Sequence, residues 1–298
     1  MSDTPQSWGR WGEQDERGAL NLVGPERVLE ALSGVARGEI FELGGALDRA
    51  STPVPRFRQA PTLVMTRDGG DDARQRRTPS AIPAPAFAED LLFISPQAGT
   101  HVDALCHVFR DGKMYNGYDA LEVTSSGSLR CGVENMGSVV TTGALFDLSS
   151  VTAPGELVGG VEVTVAMLER AAANRGFGAL PPGSAALLYT GWRATAASNR
   201  EFMSAAPGIS MDAARWLADQ DVAIVGADTL GVEVGPSGSE TSAIPVHEFL
   251  MAERGIYLLE LLELEALVRA EVGRFAFVMC PLAITGATGS PVRPIAIV

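Results

Sequence analysis

The second half of the chain alternates short continuous apolar runs with segments whose apolar residues recur every three or four positions. Continuous runs predict buried strands, and the longer spacing predicts helices. The strands are predicted at 184–190, 222–226, 256–264 and 275–279, and the helices at 164–175, 210–218 and 245–254. This alternation predicts an α/β fold, or a mixed α+β fold, with a mixed β-sheet core in a single domain covering residues 1–298.

The first part of the chain is less regular. Residues 1–24 carry Trp8 and Trp11 in an irregular stretch, which predicts an N-terminal arm that docks on this core or on a partner subunit. A helix is predicted over 24–37, where proline follows glycine and apolar residues recur at helical spacing. Residues 67–85 are rich in Gly, Asp, Arg and Pro, which predicts a mobile loop that is either an active-site lid or disordered.

Composition limits the partners. The 298 residues carry a formal net charge of −13 with no basic stripe, so we expect neither nucleic acid nor an anionic membrane as a partner. The first residues lack a signal-peptide pattern, and no uninterrupted apolar run reaches transmembrane length. The three cysteines form neither a disulfide framework nor a CxxC pair. We therefore expect a cytoplasmic protein.

Histidine is scarce and clustered. The chain has three histidines, and two of them, His101 and His107, flank Asp103. Two imidazoles and a carboxylate can bind a divalent metal or move a proton near neutral pH. In an extended segment His101 and Asp103 project to the same side, as adjacent metal ligands must. A His–x–Asp pair is also commonly an ordinary hydrogen bond, so that alternative stays open.

Glu260 is a second unusual position. In the predicted strand it shares one face with four apolar residues, namely Ile256, Leu258, Leu262 and Leu264. A carboxylate on such a face needs a cation or a donor, and either a metal ion or a buried arginine could meet it. His247 begins the helix just before this strand, and that path can bring its imidazole near Glu260.

Two further residues invite a chemical interpretation. Asp228 follows a buried strand, where it either lines a cleft or stabilises a turn. Cys106 precedes His107 directly, and neighbours in an extended segment point to opposite faces, so we interpret Cys106 as a packing residue. The glycine-rich stretches contain no GxxxxGK[ST] phosphate loop.

The segment 99–109 resembles the HxGTHxDxPxHF signature of the metal-dependent cyclase family, which includes bacterial kynurenine formamidase and isatin hydrolase. The chain looks most like the longer members, which share the segment 113–118 after the motif. The likeness runs from the first Trp-Gly segment to the C-terminus, with further matching stretches at 182–192, 226–229, 246–260 and 288–294.

The resemblance implies a β-rich swivelling α/β fold assembled as a homodimer or homotetramer. It also implies hydrolysis of an amide or ring C–N bond with bound Zn or Mn. Within that family pattern, His101 and Asp103 are metal ligands and His107 acts in proton transfer. His247 and Glu260 complete the site and can hold a second metal.

The chain departs from the motif at its first histidine, which is Gln97 here, and at its proline, which is Leu105. An amide oxygen is a weaker ligand for zinc than imidazole and suits harder ions. Gln97 could instead orient substrate. We therefore expect one divalent metal, Mn or Zn, held by His101, Asp103 and some of Gln97, His247 and Glu260.

The sequence thus predicts a metal-dependent hydrolase of a small-molecule amide, lactam or related cyclic C–N bond, with His107 as general acid/base. Two alternatives remain: a lactone hydrolase or a cyclase or dehydratase using the same metal site, and a degenerate member that binds a ligand without turnover. Substrate contacts are predicted at Trp11, Tyr115, Asn116 and Asp228.

Overall fold

A computed structural model describes residues 7–77 and 85–298. The strands in these residues are β1 Ile40–Glu42, β2 Thr62–Arg67, β3 Glu89–Phe93, β4 His101–Asp103, β5 Val123–Thr124, β6 Gly127–Ser128, β7 Val139–Asp147, β8 Glu162–Val163, β9 Ala185–Tyr189, β10 Gly208–Ile209, β11 Ile224–Ala227, β12 Tyr257–Glu260, β13 Arg274–Met279, β14 Gly289–Pro291 and β15 Ile295–Ile297.

Nine of these described strands form one mixed sheet in the spatial order β1-β15-β13-β7-β9-β11-β12-β4-β14. The four central strands β7, β9, β11 and β12 run parallel to one another. Parallel strands are covered on both faces, which explains why β9 and β11 are continuous apolar runs in the sequence. Antiparallel strands extend the sheet on both sides, so the predicted mixed α/β fold is confirmed.

Helices cover the sheet, with α1 packed against β7 and β13, and α3 packed against β7 and α6. The described helices are α1 Pro25–Ser33, α2 Gly69–Arg76, α3 Val165–Asn174, α4 Trp192–Thr195, α5 Asn199–Phe202, α6 Met211–Asp219, α7 Pro245–His247, which continues as a π-helix over Glu248–Glu253, and α8 Glu265–Arg269. None of the helices in the described part of the chain is long and apolar enough to span a bilayer.

Most predicted elements of the second half are confirmed. The helices predicted at 164–175 and 210–218 are α3 and α6. Ser210 caps α6 as its position suggested, because its hydroxyl accepts a hydrogen bond from the Ala213 amide at 3.2 Å. The strands predicted at 184–190, 222–226 and 275–279 are β9, β11 and β13.

Element ends account for the main differences. The strand predicted at 256–264 stops at Glu260, because Leu261 has a φ of 56° and cannot continue the extended backbone. The helix predicted over 24–37 ends at Ser33. The helix predicted over 245–254 changes from α to π geometry after His247.

The nine-residue strand β7 was not predicted, although it lies near the middle of the sheet. Two threonines and a glycine interrupt its apolar run. Gly143 is required by packing, because a Cβ at that position would lie 2.2 Å from the ring of Phe275 on β13. The tertiary contact therefore explains a residue that weakened the local strand signal.

The loop prediction for residues 67–85 is wrong in its first part, where Gly69–Arg76 form α2. The side chain of Asp68 accepts hydrogen bonds from the amides of Gly70 and Asp71 at 2.7 and 3.1 Å, which caps the helix start. Residues 78–84 lie outside the described residues, so the lid interpretation stays a prediction.

The predicted arm, residues 1–24, is described from Ser7 onward, and it docks on this chain's own core. The indole N–H of Trp8 donates to the carbonyl of Ala252 at 2.7 Å. The Ala19 amide donates to the Gly255 carbonyl at 2.8 Å. These contacts hold the arm against the end of the π-helix and the segment that joins it to β12.

Candidate metal centre

The pairing of β4 with β12 creates the site. These strands run antiparallel with His101 opposite Glu260. The imidazole and the carboxylate therefore project from the same face of the sheet. Asp103 projects to the same side as His101, as the alternation of a strand predicts. All three side chains are buried. The His101 Nε2 atom lies 3.3 Å from Glu260 Oε2 and 3.8 Å from Asp103 Oδ1.

The orientation of the His101 ring is set from behind. Its Nδ1 lies 2.8 Å from the carbonyl oxygen of Gly99, so Nδ1 carries a proton and Nε2 faces the two carboxylates. Gly99 has a φ of 63°, and a Cβ there would lie 2.6 Å from a Leu47 methyl group. Both the positive φ and the lack of space for a Cβ favour glycine at this turn.

The donor atoms fit a divalent metal ion. One ligand atom from each of His101, Asp103 and Glu260 lies within 4.8 Å of the other two. His101 Nε2 and Asp103 Oδ1 are buried, and neither has a hydrogen-bond partner among the described residues. Buried polar atoms are normally paired, so these convergent atoms fit a position for a cation. Imidazole nitrogen with carboxylate oxygens is a donor set that zinc and manganese accept.

The electrostatics of the cluster agree with a cation position. Burial alone would raise the pKa of Glu260, but contacts with His101 and His247 hold it well below its usual range. Burial alone would lower the pKa of both histidines, yet the neighbouring carboxylates raise that of His101 and bring that of His247 to about 10. The carboxylates therefore favour the protonated form of both imidazoles, and a metal ion bound there would compete with those protons.

His247 reaches the same carboxylate from another element. Its Nε2 lies 3.0 Å from Glu260 Oε1, while His101 faces the other oxygen. The path from α7 to β12 thus brings His247 to Glu260, as the sequence suggested. The groups that meet the buried carboxylate are two imidazoles, so the alternative of a buried arginine is wrong.

His107 lies at the edge of the cluster. The chain turns after β4, and the His107 amide donates to the Ala104 carbonyl at 2.8 Å. This turn brings His107 Nε2 to 3.8 Å from Asp103 Oδ1. The His107 side chain is 27% exposed, whereas those of His101, Asp103 and Glu260 are nearly inaccessible. The ring is therefore accessible to a molecule outside the protein.

Gln97 is buried beside the cluster. Its amide Nε2 donates to the Thr288 hydroxyl at 3.1 Å. A Cβ on Gly289 would lie 2.7 Å from Gln97 Nε2 and 3.5 Å from Asp103 Oδ1, so glycine leaves room for both groups. The amide is thus close to Asp103, and its role as ligand or substrate contact stays a prediction.

Glu233 is a site residue that the sequence analysis missed. Its carboxylate hydrogen-bonds Nδ1 of His247, on the opposite side of the ring from Glu260. The local signal was weak, because Glu233 is a lone carboxylate between Val232 and Val234. In an extended segment both valines lie on the face opposite Glu233, so the apolar-face argument made for Glu260 does not extend to it.

The predicted substrate residues Tyr115 and Asn116 hold the N-terminal arm. The Tyr115 hydroxyl donates to Asp15 Oδ2 at 2.9 Å. Asn116 Nδ2 donates to the carbonyls of Gly12, Glu13 and Asp15 at 3.0–3.2 Å, and its Oδ1 accepts from the Gly9 amide at 2.8 Å. These polar groups are engaged within the chain, and their contact with substrate stays a prediction.

Trp11 and Asp228 lie in two different environments. The half-buried Trp11 ring lies 4.7 Å from the Arg10 guanidinium. Asp228 accepts from the amides of Thr190 and Gly191 and from the Thr190 hydroxyl, and burial raises its pKa to about 6. Asp228 also lines a cavity of about 430 Å³ at the strand ends. It therefore both lines a cleft and stabilises a turn, the two roles that the sequence left open. Substrate binding by either residue stays a prediction.

Comparison with known proteins identifies the family of the chain. The family model named Cyclase matches residues 44–234, which is more than half of the chain. The chain belongs to the Cyclase family. The resemblance seen in the sequence is therefore confirmed, and the matched region contains His101, Asp103 and His107.

Three relatives illustrate the extent of the likeness. A crystal structure of a novel cyclase is 31% identical with a TM-score of 0.88, covering 99% of this chain and 100% of that one. An isatin hydrolase bound to the product analogue thioisatinate is 20% identical with a TM-score of 0.62, covering 91% and 95%, and shares the fold. Cyclase-like protein 3 of Oryza sativa subsp. japonica is 36% identical over 99 residues, which is 33% of this chain and 34% of that protein. The match thus spans about a third of this Cyclase relative.

Asn116→Ala tests whether Asn116 anchors the arm. The substitution removes four hydrogen bonds at a residue whose φ of 60° disfavours alanine. We expect the free energy of unfolding in urea to fall by about 1–3 kcal/mol and protease cleavage within residues 9–17 to accelerate. The control Asn174→Ala, at an exposed helix end, changes stability by less than about 0.5 kcal/mol. Unchanged stability and cleavage in Asn116→Ala would contradict the anchoring role.

Proposed function

We propose that this chain is a metal-dependent hydrolase of an amide, lactam or related cyclic C–N bond in a small molecule. The observation that carries the proposal is the buried convergence of His101, Asp103 and Glu260, in which His101 Nε2 and Asp103 Oδ1 have no hydrogen-bond partner within residues 7–77 and 85–298. Membership of the Cyclase family and a fold shared with isatin hydrolases support it. The same groups could act on a lactone, and the substrate panel below separates the two reactions.

We assign the metal to one position among these three residues, with His247 joined to it through Glu260. Imidazole favours zinc and carboxylates favour manganese, so both ions suit the donor set. His101, Asp103 and Glu260 would hold the ion, and it would supply Lewis-acid polarisation of a carbonyl and a lower pKa for a bound water. The chain's own contribution is to fix the buried ligand atoms before an ion binds, since His101 is oriented by Gly99 and Glu260 by two imidazoles.

His107 is our candidate for general acid/base. It lies next to Asp103 and is the group of the cluster with substantial solvent exposure. Its imidazole can take a proton from the attacking water and return it to the leaving nitrogen, which an amide needs more than an ester does. Substrate would approach from the exposed side of this ring.

We further propose that the protein assembles as a homodimer or homotetramer through the β2–β3 ribbon. Both faces of this two-stranded ribbon carry exposed apolar side chains, with Leu63 opposite Leu92 on one face and Val64 opposite Leu91 on the other. A two-stranded ribbon is marginally stable alone, and an apolar patch of this kind is typical of an interface. A second copy of the chain is the partner that we propose.

Paired variants test the metal and the proton carrier. We expect elemental analysis of the zinc- or manganese-loaded protein to give about one ion per chain, and His101→Ala to lose both the ion and turnover. His107→Ala should keep the ion while kcat falls about 10²–10⁴-fold. Turnover is measured on aryl formamides, isatin, lactams and lactones. Full metal content in His101→Ala, or full turnover in His107→Ala, would contradict the assignment of these residues. Activity confined to lactones would contradict C–N hydrolysis and identify the protein as a lactone hydrolase.

Leu92→Asp tests the interface. The Leu92 side chain is 52% exposed in the single chain, so a charge there should leave the fold intact and prevent association. Light scattering should then give the 31.3 kDa single-chain mass in place of a multiple of it. The control is Leu121→Asp, at an 86% exposed leucine away from the ribbon, which should keep the wild-type mass. An unchanged mass in Leu92→Asp would contradict this interface.

A further inference from the structure

Glu233 is held in a fixed position although it lies outside the central sheet. The segment that contains it pairs with β10, where the Ile209 amide donates to the Val232 carbonyl at 3.0 Å. Gly208 permits this close approach, because a Cβ there would lie 2.2 Å from the carbonyl carbon of Glu233. The side chain is buried, so its carboxylate is aimed into the protein by a rigid backbone.

Three N–H donors from two adjacent residues converge on this carboxylate. The amides of Val246 and His247 donate to it at 3.2 and 3.1 Å, and the His247 ring contacts it through Nδ1. The two amides belong to the first turn of α7, where backbone donors have no partner within the helix. Glu233 therefore holds both the backbone and the imidazole of His247.

The contact with Nδ1 goes beyond what a helix cap requires. A cap needs only the two backbone donors, whereas the third contact fixes the ring. With Nδ1 bound to Glu233, the remaining nitrogen Nε2 points to Glu260 Oε1 at 3.0 Å. His101 is arranged in the same way, since its Nδ1 lies against the Gly99 carbonyl and its Nε2 faces Glu260.

We propose that Glu233 is a positioning residue of the metal centre, which holds the His247 ring through Nδ1 and directs Nε2 to Glu260 Oε1, so that this carboxylate stays aligned for the ion. This inference rests on the proposed metal site. Hydrogen-bonding groups behind metal ligands fix the orientation of those ligands, and loss of such groups commonly weakens metal binding about 10–100-fold. Glu233 acts through His247 and needs no contact with substrate.

The test compares Glu233→Gln and Glu233→Ala with wild type in zinc affinity, measured by competition with a chromophoric chelator. Glutamine keeps the packing and supplies a neutral acceptor, so we expect Glu233→Gln to lower the zinc affinity about 10-fold. Alanine removes the acceptor, so we expect Glu233→Ala to lower the zinc affinity about 100-fold. The control is Glu248→Gln, at the residue that follows His247 in the helix. The Glu248 carboxylate accepts a hydrogen bond from the Ser242 hydroxyl, so this variant should keep the wild-type affinity for zinc. If alanine prevents folding, the glutamine variant decides the result.

A second readout requires no metal. Nitrogen NMR of the full chain labelled in histidine shows few side-chain signals, since the chain has three histidines. In the metal-free protein we expect Glu233→Gln to shift the Nδ1 signal of His247 while those of His101 stay in place. Unchanged His247 signals together with unchanged zinc affinity would reduce Glu233 to a helix cap and overturn the proposal. Zinc binding absent from wild type, with the His247 shift present, would overturn the metal site while Glu233 still orients the ring.

Discussion

The burial of Glu260 is the constraint on which the candidate site depends. A carboxylate this deep in an apolar sheet is costly unless cations or donors meet both of its oxygens. The antiparallel register of β4 and β12 supplies His101 to one oxygen, and the path from α7 supplies His247 to the other. Each imidazole also contacts an oxygen acceptor through its Nδ1 atom, and these contacts fix the orientation of both rings. Removal of any member would leave a buried charge without its partner.

Much of this cluster could be predicted from the sequence, because its signals are local. Strand alternation placed His101 and Asp103 on one side, and the apolar neighbours of Glu260 showed that its carboxylate needed a partner. The approach of His247 followed from a short helix–turn–strand path. These inferences succeeded because each depended on residues within about fifteen positions of one another.

The features that the sequence did not predict depend on contacts between distant segments of the chain. Glu233 reaches the site because its backbone pairs with β10, and nothing near it in sequence shows that pairing. The strand β7 carries Gly143 because Phe275 occupies the space where a side chain would lie. Asn116 follows the motif closely enough to suggest a substrate contact, yet its hydrogen bonds hold an arm about one hundred residues away.

The central claim is that the carboxylate–imidazole cluster around Glu260 binds a divalent cation in the folded protein. The most direct test is the thermal unfolding midpoint of chelator-treated protein with and without added Zn²⁺ or Mn²⁺, for wild type and Asp103→Asn. A ligand that binds only the folded state at about 100 times its Kd adds about 2.7 kcal/mol to stability. The account predicts that one of these ions raises the wild-type midpoint by several degrees and leaves that of Asp103→Asn nearly unchanged. Equal wild-type midpoints with and without both ions would contradict it.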